Sequence, residues 1–138
     1  MSLRDELAGV LARDPRYTIQ AYVFVFEALE YTKTLKKRIH TRAKSRGGRA
    51  GASRHVSGRE LCEGARLLAL SQYGFLAITV LAQWGIHSTS DIGEIVYNLI
   101  ASGDLERAPD DSRADFDCVF DFEDALKRDY VLAMDDVA

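Results

Sequence analysis

The chain has 138 residues and a mass of 15.4 kDa, enough for one domain with a core of its own. Hydrophobic residues make up 47% and charged residues 28%, with a net charge of −3, which sets the chain apart from disordered and strongly polyionic proteins. No run of 18 wholly apolar residues occurs, and Met1-Ser2-Leu3-Arg4-Asp5-Glu6 lacks a basic-then-apolar leader, so a cytoplasmic protein without a membrane span is expected.

Leu3, Leu7, Val10 and Leu11 recur at helical spacing and predict a short amphipathic helix over 3–12. Asp14-Pro15 stops it, because proline disfavours helical geometry in the residue before it. The next run, from Tyr17 to about Lys37, places Ile19, Tyr22, Val23, Phe26 and Leu29 on one helical face. Tyr22-Val-Phe-Val-Phe26 is also strand material. Helix is preferred because Glu27-Ala-Leu-Glu30 extends the run with good helix formers.

Charge then becomes one-sided. Ten cations stand between Lys33 and Arg59 with no acid among them, which leaves −13 for the rest of the chain. Residues 41–55 contain no large apolar side chain and are rich in glycine, serine and like charges, so a flexible basic loop is expected there. Such a segment suits phosphate contact, or folds back onto the acidic end of its own chain.

Ser57-Gly-Arg-Glu60 has the spacing of a capping box and opens a helix over about 58–72. After Gly74, the stretch Phe75-Leu-Ala-Ile-Thr-Val-Leu-Ala-Gln-Trp84 is apolar nearly all round, which predicts a buried helix ended by a left-handed Gly85. Ser88-Thr-Ser-Asp91 starts a further helix over about 90–102, with Ile92, Ile95, Val96, Leu99 and Ile100 as its apolar stripe and Gly103 as its stop. The period then changes to two. Phe116, Cys118, Phe120 and Phe122 alternate with polar residues, which predicts a strand in a hairpin over 104–122, followed by a short helix to about Arg128 and a frayed tail at 129–138.

The fold class expected is mainly α with a C-terminal β-hairpin. A single domain would hold an N-terminal helical pair (1–40), the basic loop (41–55), a winged-helix-like helix-turn-helix core (56–128) and the tail. A winged helix reads DNA through the N-terminal residues of its second helix. Here those residues are Ser90, Asp91, Gly93, Glu94, Tyr97 and Asn98, with two carboxylates and no cation to face a polyanion. Sequence-specific readout through that helix is not expected.

Catalytic patterns are wanting. His40, His55 and His87 are scattered, with no H-x-x-x-H, H-E-x-x-H or C-x-x-C, so no metal site is expected. No glycine-rich phosphate cradle is present, and no cofactor is expected. Asp110, Asp111, Asp115, Asp117 and Asp121 do not have calcium-loop spacing and read as a solvated strand edge. Cys62 and Cys118 both fall in apolar patterns and read as reduced core thiols.

The strings His55-Val-Ser-Gly-Arg-Glu-Leu61, Gly64-Ala-Arg66, Tyr73-Gly74, Trp84-Gly-Ile86, Ser88-Thr-Ser-Asp-Ile-Gly-Glu-Ile-Val-Tyr-Asn-Leu99, Asp111-Ser-Arg-Ala-Asp-Phe116 and Phe120-Asp-Phe122 resemble an uncharacterised family of small bacterial proteins. Ala21-Tyr22, Phe24-Val25 and Glu27-Ala-Leu29 extend the resemblance to the N-terminal helix, and the basic segment 41–54 departs from it. The resemblance implies a recurring compact domain and transfers no catalytic residue. The function expected is therefore non-enzymatic and non-specific contact with RNA or DNA, through Lys36, Lys37, Arg38, Arg42, Lys44, Arg46, Arg49 and Arg54. The alternative is a protein-interaction module acting through the winged core or the acidic hairpin.

Overall fold

A computed structural model describes residues 7–45, 55–109 and 111–128. These form five α-helices: α1 (Ala8–Arg13), α2 (Ile19–Ser45), α3 (Gly58–Tyr73), α4 (Ala77–Gln83) and α5 (Thr89–Ala101). Tight 3₁₀ turns lie at Gly74–Leu76 and Arg113–Phe116, and a π-helical turn at Glu123–Arg128. The chain is mainly helical, as expected.

The ambiguous Tyr22–Phe26 stretch is helical. Ala21, Tyr22, Phe24, Val25, Ala28 and Thr32 are buried, a pattern that follows a helix face and not strand alternation. At 27 residues α2 is about 40 Å long, and it continues to Ser45. Residues 41–45, expected in the basic loop, are therefore helical, as the absence of proline and glycine from Thr41-Arg-Ala-Lys44 allows; residues 46–54 lie outside the described set.

α3 packs antiparallel on α2. Its N-terminus carries the expected capping box, with the Glu60 amide donating to Ser57 Oγ at 3.1 Å and the Ser57 amide donating to Glu60 Oε1 at 3.0 Å. Ser57→Ala is expected to cost about 1 kcal/mol in denaturant melts, because a helix-end donor loses its partner. Leu61, Cys62, Ala65, Leu68 and Ala69 form the buried face of α3. Gly64 meets Thr32 at the crossing, where a Cβ would lie 1.8 Å from the threonine hydroxyl. Only glycine permits that approach.

The helix expected over 75–84 is not continuous. Gly74 adopts a positive φ of 56°, the next turn is 3₁₀, and Phe75 and Leu76 are exposed by 63% and 52%. Ala77 and Leu81 alone are buried on α4, so this segment is one-sided and not enclosed. The stretch Gly58–Gln83 also has a window of mean hydropathy 1.5, long and apolar enough to cross a membrane by length and composition alone, a test that the core helix of a soluble protein also passes. Gly85, with φ of 98°, closes the next corner beneath the Arg16 carbonyl, and the Thr18 amide donates to the Trp84 carbonyl at 3.2 Å.

The hairpin expected at 104–122, and with it the winged helix, is not seen: the described residues there form loop and turn, with no strand among them. Local hydrogen bonds take the place of a ladder. Arg107 donates to the Asp111 carbonyl at 2.8 Å, the Ala108 amide donates to Asp111 Oδ2 at 2.9 Å, and Ser112 with Asp115 forms a second capping box. Phe116 and Phe122 are buried as the alternation requires. Cys118 instead has φ of 50° and faces solvent, so the pattern breaks there and only Cys62 is a core thiol. Gly93 accepts Phe116 against α5, a contact that a Cβ would close at 2.7 Å. Asp121 then accepts from the Glu123 amide at 2.8 Å and opens the last turn, which buries Ala125 and Leu126. The tail at 129–138 lies outside the described residues.

Candidate functional site

The basic surface is built on the second half of α2. From Lys33 onward this helix carries Lys33, Lys36, Lys37, Arg38, Arg42 and Lys44 and no acid. Cations at a helix C-terminus are favoured by the backbone dipole, which helps such a run to stay helical. The contact of Thr32 with Gly64 and the ion pair of Lys36 with Glu60 fix the register of the two helices. On that register α3 begins about level with residue 38, and the backbone of 39–45 continues past it.

The eight expected contact residues divide into three groups. Lys36 is committed to the fold. Its Nζ lies 3.0 Å from Glu60 Oε1 and also donates to the His55 carbonyl, and Glu60 is held below its ordinary range: burial opposes this, but the Ser57 amide and Lys36 outweigh it. Lys37 and Arg38 are exposed on α2. Arg42 and Lys44 stand on its last turns with their side chains outside the described residues, as are Arg46, Arg49 and Arg54 altogether. His55, where the chain re-enters the described body, places Nε2 2.8 Å from Asp111 Oδ1. The structure thus brings Lys36, Lys37 and Arg38 onto one helix and ties the root of the basic segment to the body at two points.

A polar network that the sequence did not reveal surrounds α5. Arg16 donates to Asp14 through Nε at 2.8 Å and Nη2 at 2.7 Å, and Nη2 also reaches Glu94 Oε2 at 3.1 Å. Arg113 approaches the other Glu94 oxygen at 3.4 Å. Asn98 Nδ2 donates to Asp14 Oδ2 at 2.8 Å and to Tyr22 Oη at 3.2 Å. Tyr17 Oη donates to Asp91 Oδ1 at 2.6 Å, while the His87 amide donates to Asp91 Oδ2 at 2.8 Å. The hydrogen bonds from Arg16 hold the Asp14 carboxyl well below the usual carboxylate range. Burial, then the Asp91 contact, pushes the Tyr17 phenol up, and burial does the same for Tyr22.

This network occupies the residues at which a DNA-reading helix would meet bases. Asp91, Glu94 and Asn98 are bound to the N-terminal loop, and Tyr97 packs edge-on to Phe116 with Arg113 over its ring. An open cleft of about 390 Å³ beside it is bounded by Val10, Arg13, Asp14, Arg16, Asn98 and Ala101. Asp14-Pro15-Arg16 read only as a helix stop, since no spacing rule connects it to residues 78 positions away. Burial pushes the Cys62 thiol up to about 12, and the side chain is fully enclosed in the core. Among the described residues, no three His, Cys, Asp or Glu side chains gather at one point to hold a metal.

Comparison of the chain with protein-family models, with curated proteins and with solved structures gives no match, so the family resemblance noted in its motifs gains no support from them.

Proposed function

We propose that this is a non-enzymatic nucleic-acid-associated protein that grips phosphates through the basic end of α2 and the segment after it. One observation carries the reading: ten cations between Lys33 and Arg59 with no acid, six of them on the continuous helix α2. Lys36 anchors this element to α3, and the proposed contact set is Lys37, Arg38, Arg42, Lys44, Arg46, Arg49 and Arg54. No Phe, Tyr or Trp follows Tyr31 in this stretch, so base stacking is weak and the contact is with backbone phosphates. The internal use of Asp14, Asp91 and Glu94 supports the reading, because acids paired to Arg16 and Arg113 or bonded to Tyr17 repel a polyanion less. α4, the Trp84–Ser88 corner and α5 follow one another as two helices joined by a turn, and the internal bonds of Asp91, Glu94 and Asn98 favour packing over base readout for α5.

The test is fluorescence anisotropy with labelled single-stranded RNA and duplex DNA of 20 nucleotides at rising salt. Log K is expected to fall with log salt by about 0.7–0.9 per phosphate neutralised. A variant carrying Lys37→Gln, Arg38→Gln, Arg46→Gln, Arg49→Gln and Arg54→Gln is expected to flatten that slope by several units. A salt-independent affinity, or a slope the variant leaves unchanged, overturns the proposal.

A second reading, a protein-interaction module using the helical core or the acidic 104–124 segment, is favoured by Leu67, Phe75 and Leu76, which are exposed near the α3–α4 junction.

A further inference from the structure

A second cavity, of about 230 Å³, lies where α2, α3 and α5 meet the loop over 105–116. Its walls are apolar, with Leu29 from α2, Leu61 from α3, Val96 and Ile100 from α5, and Phe116. Its charged lining is unequal: Glu106, Asp111 and Asp115 supply three carboxylates against Lys33 and the His55 imidazole. Those two basic groups already face acids, Lys33 with Glu30 at 3.4 Å and His55 with Asp111 at 2.8 Å. Nearby Arg113 is turned to Glu94 and Arg107 to the Asp111 carbonyl.

Two of the three carboxylates are also in use, since Asp111 accepts from the Ala108 amide and Asp115 from the Ser112 amide. Glu106 has no such partner among the described residues. The wall also contains Tyr97, whose hydroxyl is buried and makes no hydrogen bond. A buried hydroxyl in that condition is uncommon, and being closed to solvent it takes no part in holding a ligand.

We infer that this cavity binds a small hydrophobic amine, with its hydrocarbon body against Leu29, Leu61, Val96 and Ile100 and its ammonium group at Glu106. The volume admits a molecule of about ten non-hydrogen atoms, at the small end of ligand pockets. An anion of the same shape would meet three carboxylates against Lys33 and His55. The inference is independent of the phosphate-binding reading, because it uses a different surface and a ligand of opposite charge.

The test is an NMR titration of the ¹⁵N-labelled full chain with 2-phenylethylamine and, in parallel, with 3-phenylpropionate. Saturable shifts of the amides around Val96, Tyr97, Ile100 and Phe116 are expected with the amine, at an affinity about 2- to 5-fold above that for the acid, as one exposed charge contact of ordinary strength implies. Glu106→Gln is expected to weaken the amine by about 2- to 5-fold without strengthening the binding of the acid to the same degree. Val96→Phe, checked for folding by its melting curve, is expected to fill the space and abolish both. Equal binding of amine and acid by the unaltered protein, or no saturable shift with the amine, overturns the inference, as does amine binding indifferent to Glu106→Gln.

Discussion

Gly64→Ala is expected to destabilise the protein by about 3 kcal/mol, near the top of what overpacking costs, and to lower its melting temperature by about 10 °C. The added methyl would sit 1.8 Å from Thr32 Oγ1 and 2.9 Å from Thr32 Cβ. Thr32 cannot swing aside freely. It is 5% exposed, and its hydroxyl donates to the Ala28 carbonyl at 2.6 Å, one turn earlier on the same helix. The two long helices must therefore separate, which opens the Leu61, Ala65 and Leu68 face. The control is Thr32→Ala, which removes the obstacle at a cost of about 1 kcal/mol for the lost hydrogen bond. In the Gly64→Ala, Thr32→Ala double variant most of the loss is expected to return, a coupling of about 2 kcal/mol in denaturant unfolding. Simple additivity of the two single variants would show that the helices do not meet at this point.

Asp14→Asn is expected to cost about 2 kcal/mol at neutral pH, an effect that fades in acid. The Asp14 carboxylate is 12% exposed and accepts from Arg16 Nε, Arg16 Nη2 and Asn98. The asparagine keeps the shape but removes the charge, and its amide group sets a donor against donors. Because the Arg16 hydrogen bonds depress the folded pKa below the ordinary 3.8, the stabilisation is complete above that ordinary value and is lost as pH falls below it. Unfolding curves of the two proteins are therefore expected to lie apart at pH 7 and to converge below about pH 4. Arg16 is 57% exposed, so high salt reduces the gap by screening. A gap that stays constant down to pH 2 would show that the charge on Asp14 does not matter.

Local chemistry explains which features could be read from the chain. Ser57 with Glu60, Ser88 with Asp91, and Gly85 and Gly103 at their positive φ angles act within a few residues of themselves, so their motifs survive in the fold. Phe116, Cys118, Phe120 and Phe122 show the opposite case. Alternation signals a strand only if a neighbour completes its hydrogen bonds, and the preceding residues spend theirs on Arg107, Asp111 and Ser112. The apolar run at 75–84 misled for a different reason: composition cannot show that Gly74 turns the axis and leaves Phe75 and Leu76 outside. Of the candidate site, Lys37 and Arg38 are where helical spacing puts them, whereas the commitment of Lys36 to Glu60 depends on the packing of α3.

The network around α5 also bears on how quickly this chain reaches its native state. Tyr17 meets Asp91 across 74 positions, Arg16 meets Glu94 across 78, and Asn98 meets Asp14 across 84. Helical proteins usually gain speed from short-range contacts. Closing so wide a circuit carries an entropic cost, so refolding in a stopped-flow experiment is expected to be slower than for a helical protein of the same length held by short-range contacts alone.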